Sequence, residues 1–391
     1  MLTKPNLQDF LNHYFKMFHQ HPELSNREFW TTEEIRTILK YIGITPNDKY
    51  KLKTGVIADI KGRPGPMVAL RADIDGLPVQ EKTNLLYRPK IKNVTHACGH
   101  DFHLTALLAA AYLLNQEKTS LLGTVRLIFE PGEENHTGAN LIINSGALKG
   151  VKAIFGMHNM PNIPVGTVGI KSGKLMASND NFQVIVYGQG SHAAMPHTGK
   201  DPIVCTATII STLQTIVSRN TDPNDRLVVT IGSIHGGFAN NVIPDEVTFK
   251  GTIRAFSSNV RKQTKQRFNK LVQDIASSFG EKSDVIWDQG PSPVNNNPLI
   301  TKTTFQEATN IMQVITPNLT NTDDDFANYQ EKVPGCYVFM GSKGSSNLHH
   351  DDLVVNLKGL EYGAKLHIAV AKALLKKFEK DKLYLRSFKK K

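Results

Sequence analysis

Between Thr95 and His103 the chain reads T-H-A-C-G-H-D-F-H, and further along come P-G-E-E (131–134), M-H-N (157–159) and L-H-H-D-D (348–352). These strings supply a thiol, several imidazoles and two adjacent carboxylates, a donor set suited to zinc, manganese or cobalt. Only Gly99 separates Cys98 from His100, so a short loop can aim both donors at one point. Chemistry of this kind points first to a metal-dependent hydrolase.

Donors so far apart in sequence need a scaffold that gathers them. Leu7, Phe10, Leu11, Tyr14, Phe15 and Phe18 recur at helical spacing and predict an amphipathic helix. Ser25 and Glu28 form a capping-box pattern that would open a second helix carrying Phe29, Ile35, Ile38, Leu39 and Ile42. Strands are expected at 55–60, 67–71, 124–129 and 151–157, with K-G-R-P-G-P as a turn-rich connector and an Ala/Leu helix at 104–114. This alternation is the pattern of an α/β domain with a mainly parallel sheet. Asp73 and Asp75 follow the strand ending near Arg71, Glu133 and Glu134 follow the one ending at Phe129, and His158 follows the one ending at Met157. In open α/β sheets the functional crevice lies at the carboxyl ends of the strands, so these residues should converge there.

From about Lys174 the pattern changes. Half-buried strands are expected at 181–187, 227–234 and 246–256, with amphipathic helices at 203–217 and 260–278 on one side of them, an α+β module. Beyond it come a helix at 299–315, a buried strand at 336–340 and a final helix at 359–375. The expected organisation is therefore 1–173 and 292–391 as two parts of one catalytic domain, interrupted by an inserted domain at 174–291.

Composition narrows the function classes. The chain has 391 residues, 40% hydrophobic and 21% charged, as expected of a soluble globular protein with two domains. The longest apolar run, Ala106 to Leu114, is too short to span a membrane, and the N-terminus shows no signal-like core. Three widely spaced cysteines (Cys98, Cys205, Cys336) suggest a reducing cytoplasm without a disulfide framework. Most of the net charge of +11 sits in residues 372–391, where eight lysines and Arg386 face only Glu379 and Asp381. A solvated basic tail accounts for it, and with no nucleic-acid-binding motif present, neither a nucleic acid nor a membrane is expected as partner.

Taken together, the motifs resemble the di-metal aminoacylase/carboxypeptidase family, in its amidohydrolase branch of hippurate hydrolases, N-acetyl-amino-acid deacetylases and auxin-conjugate hydrolases. The strings that carry the resemblance are H-Q-H-P-E-L-S (19–25), L-R-A-D-I-D-G-L-P-V (70–79), H-A-C-G-H-D (96–101), F-E-P-G-E-E (129–134), G-M-H-N (156–159), S-H-A-A-M-P-H-T-G-K-D-P (191–202), G-G-F-A-N-N-V-I-P-D (236–245), G-T-I-R-A-F (251–256) and D-D-F-A-N-Y (324–329). They run in family order over nearly the whole chain.

The resemblance implies a di-metal hydrolase domain with an inserted lid and dimerisation domain. Two divalent ions, manganese, zinc or cobalt, would be ligated by Cys98, His100, Glu134, His158 and a C-terminal histidine, with Glu133 as general base. His349 is favoured as the fifth ligand, although the string His349-His350-Asp351-Asp352 lacks the branch's proline and aromatic and leaves His350 open. His192 would reach the partner subunit's site and steady the oxyanion, Asn241 would donate to the same oxyanion or to substrate, and Arg254 would pair with a substrate carboxylate. A polar turn residue and a surface ion-pair partner are the plainer roles for His192 and Arg254. Asp73 and Asp75 are cast as partners that orient ligand imidazoles. His96 and His103 match no ligand position and read as structural, and His19 and His21 as helix-end packing. The implied reaction converts an N-acyl amino acid or short peptide to a carboxylic acid and a free amino acid, in a homodimer or higher homo-oligomer. A dipeptidase or carboxypeptidase on the same site is the alternative. Phosphate-binding, dinucleotide and G-x-S-x-G nucleophile motifs are missing from the sequence.

Overall fold

The computed structural model describes residues 6–388, with side chains described through Lys380. The chain divides into two units. One runs to Gly173 and continues at Asn295–Asn318 and from Asp325 onward; the other consists of Lys174–Val294 and Leu319–Asp324.

The first unit is built on a seven-stranded sheet in the order Val56–Lys61, Thr124–Glu130, Met67–Asp73, Val151–Met160, Gly335–Gly341, Thr167–Gly169, Gln313–Ile315. Its four central strands, Thr124–Glu130 through Gly335–Gly341, are parallel, while Val56–Lys61 runs antiparallel on one edge. The central strands are largely apolar because both faces are covered, with Arg71 and Arg126 as buried charged exceptions; Val125, Leu127, Ile128 and Phe129 are all buried. The helix His100–Gln116 is almost wholly buried, which its run of alanine and leucine permits without polar groups to satisfy. The helix Leu7–His19 packs Phe10, Leu11, Phe15 and Phe18 inward and is capped by Asn6, whose side chain accepts from the Asp9 N–H at 2.9 Å. Parallel register sets Asp73 opposite Glu130 and His158 opposite Phe339, so the carboxyl ends of separate strands share one level.

Several expectations are corrected. The strand expected to end at Met157 continues to Met160, so His158 lies within it. The helix expected over 299–315 stops at Thr309, and Gln313–Ile315 forms an edge strand beside Thr167–Gly169, its apolar residues having prolonged the helical pattern falsely. Ser25 and Glu28 do not form a capping box. The helix Phe29–Tyr41 is capped instead by the Glu23 carboxylate, which accepts from the N–H groups of Trp30 (3.1 Å) and Thr31 (2.8 Å). His100 is the first residue of its helix, so the loop that aims the two early donors ends at Gly99.

The inserted unit has a four-stranded antiparallel sheet in the order Lys282–Gln289, Asp180–Tyr187, Glu246–Ala255, Leu227–Gly236. The first of these strands was not anticipated from sequence. Helices Pro202–Asn220 and Ser258–Ser278 pack on it over a core that includes Phe182, Ile209, Phe249 and Phe268. None of the helices among the described residues is long and apolar enough to cross a membrane. The final helix, Lys358–Phe388, carries the start of the basic tail; residues 389–391, and the side chains from 381 on, lie outside the described residues.

Arg71 ties the first unit together. Its fully buried guanidinium meets Asp73 at 2.6 Å, Glu130 at 2.5 Å and Asp325 at 3.0 Å, and Asp325 also accepts from the Ala139 N–H. Removing one partner of a buried ion cluster leaves the others uncompensated in low dielectric. Arg71→Met should therefore lower unfolding stability by about 3–5 kcal/mol in urea titrations. A loss below about 1 kcal/mol would show that the three carboxylates find other compensation.

Candidate metal centre

Local geometry explains how each donor reaches the crevice. Gly99 sits at φ +83° before the first turn of the helix, and a Cβ there would collide with the Asn159 amide. The chain can thus turn sharply and present Cys98 and His100 on one side. Glu133 and Glu134 lie in the turn after Thr124–Glu130, and His158 projects from its strand. His349 adopts φ +66° and donates its backbone N–H to Ala97 O at 2.7 Å, which docks it against the Cys98 loop.

Cys98 Sγ is the meeting point. It lies 3.3 Å from His158 Nε2 and 3.3 Å from His349 Nε2. His349 Nε2 is 3.6 Å from Glu134 Oε1, which is 3.7 Å from His100 Nε2. Two triples, Cys98–His100–His158 and Cys98–Glu134–His349, each have their donor atoms within 4.8 Å of one another. Cys98 belongs to both. His350 joins no such cluster among the described residues.

Neighbouring groups fix which nitrogen faces the cluster. Asp75 Oδ1 lies 3.1 Å from His100 Nδ1, so Nδ1–H donates outward and Nε2 faces inward. His158 Nδ1 is 2.7 Å from Asn159 O, an arrangement with the same consequence. Asp73 holds His103 at 2.5 Å through Nδ1, and His103 Nε2 accepts from the Asn159 N–H at 2.8 Å. Asp75 does more than orient His100: its Oδ2 accepts from the Glu134 N–H at 3.0 Å and from Ser25 Oγ at 2.7 Å.

The electrostatics fit a divalent cation. Burial, reinforced by Asp75 and opposed by His100, pushes the Glu134 carboxyl up to about 7. Burial and then the nearby Glu134 and Glu133 carboxylates hold the Cys98 thiol well above its usual range. Burial alone would lower His100, but Asp73 and Asp75 outweigh it and raise the imidazole to about 10. Burial and then His103 keep His158 well below the usual imidazole range and hence neutral. Moreover, His100 Nε2 and Glu134 Oε1 are buried without a hydrogen-bond partner, a state polar atoms rarely keep unless a ligand completes them. Thiol, imidazole and carboxylate donors in this arrangement suit a transition ion.

The other expected site residues lie in the inserted unit. Ser191–His192 pairs with Val242–Ile243, and Asn241 O accepts from the Ala193 N–H at 3.0 Å, so His192 and Asn241 are neighbours there. The Ala194 N–H donates to His192 Nδ1 at 3.0 Å, which leaves Nε2–H as the free donor of a neutral ring. Arg254 forms an ion pair with Asp323 within the same unit. Sequence reasoning gave the 19–28 stretch only helix capping and helix-end packing, yet it supplies Ser25 to Asp75, Glu28 to the Gly132 N–H at 2.8 Å, and His19 to a buried ion cluster. Its signal was the density of polar residues around His21-Pro22 with no solvent-facing periodicity.

A parallel-sheet α/β domain with a thiol, imidazole and carboxylate cluster at its strand ends has the architecture of a metal-dependent hydrolase. The pattern of peptidase family M20/M25/M40 matches residues 69–373, and the chain belongs to that family as a hydrolase of amide bonds. It is 46% identical to the N-acetyl-L-cysteine deacetylase of Bacillus subtilis (strain 168), over 93% of this chain and 88% of that protein. It is 37% identical to the IAA-amino acid hydrolase ILR1-like 2 of Arabidopsis thaliana, over 95% and 87% respectively. The crystal structure of the Bacillus subtilis YXEP protein, described as a dinuclear metal binding peptidase, superposes with a TM-score of 0.86 at 38% identity, over 95% of this chain and 99% of that one.

Beside the cluster, His19 bridges Asp101 (2.7 Å) and Glu81 (3.1 Å) in buried surroundings. Burial opposes its charge, but the two carboxylates win and raise it to about 9. Because the folded value lies above the ordinary 6.5, the stabilisation is complete below that pH and disappears as pH rises through 9. The melting-temperature gap between the parent and His19→Gln should accordingly be wide at pH 6 and close by about pH 10. A gap unchanged across that range would show that His19 is held as a neutral ring.

Proposed function

We propose that the chain is a metal-dependent amidohydrolase that splits N-acyl amino acids into a carboxylic acid and a free amino acid. The observation that carries this reading is the convergence of Cys98, His100, Glu134, His158 and His349 around one thiol, with Glu133 adjacent in sequence to Glu134. These five residues would hold two divalent ions, manganese, zinc or cobalt. Such ions, when bound, supply Lewis acidity toward the amide carbonyl and toward a water. His349 is assigned as the fifth ligand in preference to His350, on the distances above.

The chain's own groups then divide the remaining work. Glu133, buried and 3.9 Å from His100 Nε2 through Oε2, takes a proton from the attacking water as its oxygen bonds to the acyl carbon. The same carboxyl delivers that proton to the amide nitrogen as the C–N bond breaks. His192, fixed as the Nε2–H tautomer by the Ala194 N–H, is the donor assigned to the oxyanion, acting on the site of a second subunit. Asn241 is assigned to the same oxyanion or to substrate, and Arg254 to a substrate carboxylate, sharing its guanidinium with Asp323. In this reading the inserted unit serves as lid and as the contact between subunits of a homo-oligomer. Cys98, Cys205 and Cys336 are all free and buried, which suits a reducing cytoplasm.

The deacetylase and the auxin-conjugate hydrolase to which the chain is similar both carry names of enzymes that release amino acids from acyl groups. The description of the YXEP protein as a peptidase favours a second reading, cleavage of dipeptides or of C-terminal residues on the same site. Assays with N-acetylcysteine, other N-acetyl amino acids, hippurate and dipeptides decide between them. Turnover of the acyl amino acids at least tenfold above the dipeptides is expected, and the reverse order would install the peptidase reading. Chelation should abolish every one of these activities and manganese, zinc or cobalt restore it; full turnover in verified metal-free protein would remove the metal from the account.

Roles within the P-G-E-E turn separate in a pair of variants. Glu133→Gln should keep its metal yet lose about 10²-fold or more in kcat, the usual scale of general-base catalysis. Glu134→Gln should lose both metal and activity. Metal analysis showing equal depletion in the two would mean that the roles are wrongly divided.

A further inference from the structure

The stretch Glu23 to Glu28 has no part in the chemistry above, yet it touches the turn that carries Glu133 and Glu134 at two points and reaches it through Asp75 at a third. Glu28, fully buried, accepts the Gly132 N–H at 2.8 Å and the Asn26 N–H at 2.7 Å through one carboxylate oxygen. Asn26 donates from Nδ2 to Thr137 Oγ1 at 2.9 Å, on the far side of the turn. Ser25 donates to Asp75 Oδ2, the same oxygen that receives the Glu134 N–H. The segment thus holds the backbone immediately before Glu133 directly, the Thr137 hydroxyl just beyond the turn directly, and the Glu134 N–H through Asp75.

That segment is itself immobilised. Glu23 O accepts the Gly76 N–H at 2.7 Å, Leu24 bridges to Gly76, and the Glu23 carboxylate caps the following helix. The fit is also close: Gly132 at φ +64° has no room for a Cβ, which would come within 2.8 Å of Asn26 Oδ1. A carboxylate is costly to bury, and a glutamate enclosed at this depth is retained only where its acceptor oxygen has a task. Here a buried carboxyl side chain spans to the amide that precedes the general base.

We infer that Glu28 is a positioning residue for catalysis, holding the Gly132 amide so that the Glu133 carboxylate stands at hydrogen-bond reach of the attacking water. The inference rests on the assignment of Glu133 as general base. A general base acts only within a reach of about 2.6–3.2 Å, and misplacement by about 1 Å is enough for a loss near 10²-fold. Gln at position 28 keeps the acceptor oxygen and the length, whereas Met keeps only the volume.

The test is a double-variant cycle on the full chain reconstituted with manganese, assayed on N-acetylcysteine with metal content measured in parallel. Glu28→Met should lower kcat by about 10²-fold, leave KM within about threefold and keep the metal content of the parent. Glu28→Gln should recover kcat to within about fivefold of the parent. In a Glu133→Gln background, Glu28→Met should cause no further fall, because both changes act through one group. Should Glu28→Met not fold, Asn26→Gly tolerates the left-handed backbone at this position and releases only the Thr137 end. It should lower kcat severalfold at unchanged KM and metal content.

The inference is overturned if Glu28→Met, folded and metal-replete, keeps kcat within threefold. It is equally overturned if Gln falls as far as Met, if the losses from Glu28→Met and Glu133→Gln multiply, or if Asn26→Gly standing in leaves kcat at the parent value. Loss of metal in Glu28→Met would assign the segment to metal retention instead and also overturn it. The base assignment fails separately, if Glu133→Gln alone retains turnover.

Discussion

The organising constraint of this protein is the burial of negative charge at one end of a parallel sheet. Asp73, Asp75, Glu130, Glu133 and Asp325 are buried, with Glu134 close behind, at the level where the central strands end. Carboxylates removed from water demand cations or directed hydrogen bonds. Arg71 satisfies three of them from three chain segments, and the ring of His100 is held by a fourth. Glu133 and Glu134 are turned instead toward the thiol and imidazoles. The fold thereby separates carboxylates that hold structure from carboxylates that face the reacting space.

That separation depends on rigidity. Strand register fixes the level of Asp73, Glu130 and His158, a glycine at positive φ lets Cys98 and His100 approach Asn159, and a left-handed backbone brings His349 onto the Cys98 loop. Side chains whose second nitrogen is already committed, as in His100 and His158, have only one way to face the cluster. A site assembled from five separated segments can then present its donors without reorganising for each turnover.

The inserted unit follows a different logic. Its sheet is antiparallel and half-exposed, and its core is closed by its own two helices. His192 and Asn241 occur together on a short paired segment there, which is what a unit specialised for substrate contact would need. The Ala194 N–H donates to His192 Nδ1, which turns the Nε2 side of this exposed ring away from its own backbone.

The sequence alone determined much of this. Largely apolar runs bounded by turn residues located the central strands, because strands buried on both faces leave no regular polar alternation to confuse. The donor strings were legible because thiol, imidazole and paired carboxylates at such spacings have few other uses. The resemblance in motif order also pointed to the family that the comparison with known proteins established. Boundaries were less legible: the helix at Pro298–Thr309 was overextended, since Ile311, Met312 and Val314 continue its apolar rhythm into an edge strand. Other features could be decided only by the tertiary structure. Glu23, not Ser25, caps the second helix, Ser25 serves Asp75, Glu28 serves Gly132, and His19 becomes a buried cation between Asp101 and Glu81. All of these but the local Glu23 cap depend on a partner 50 or more residues away. Local spacing encodes which elements form; hydrogen bonding and desolvation across distant segments decide what a polar side chain does.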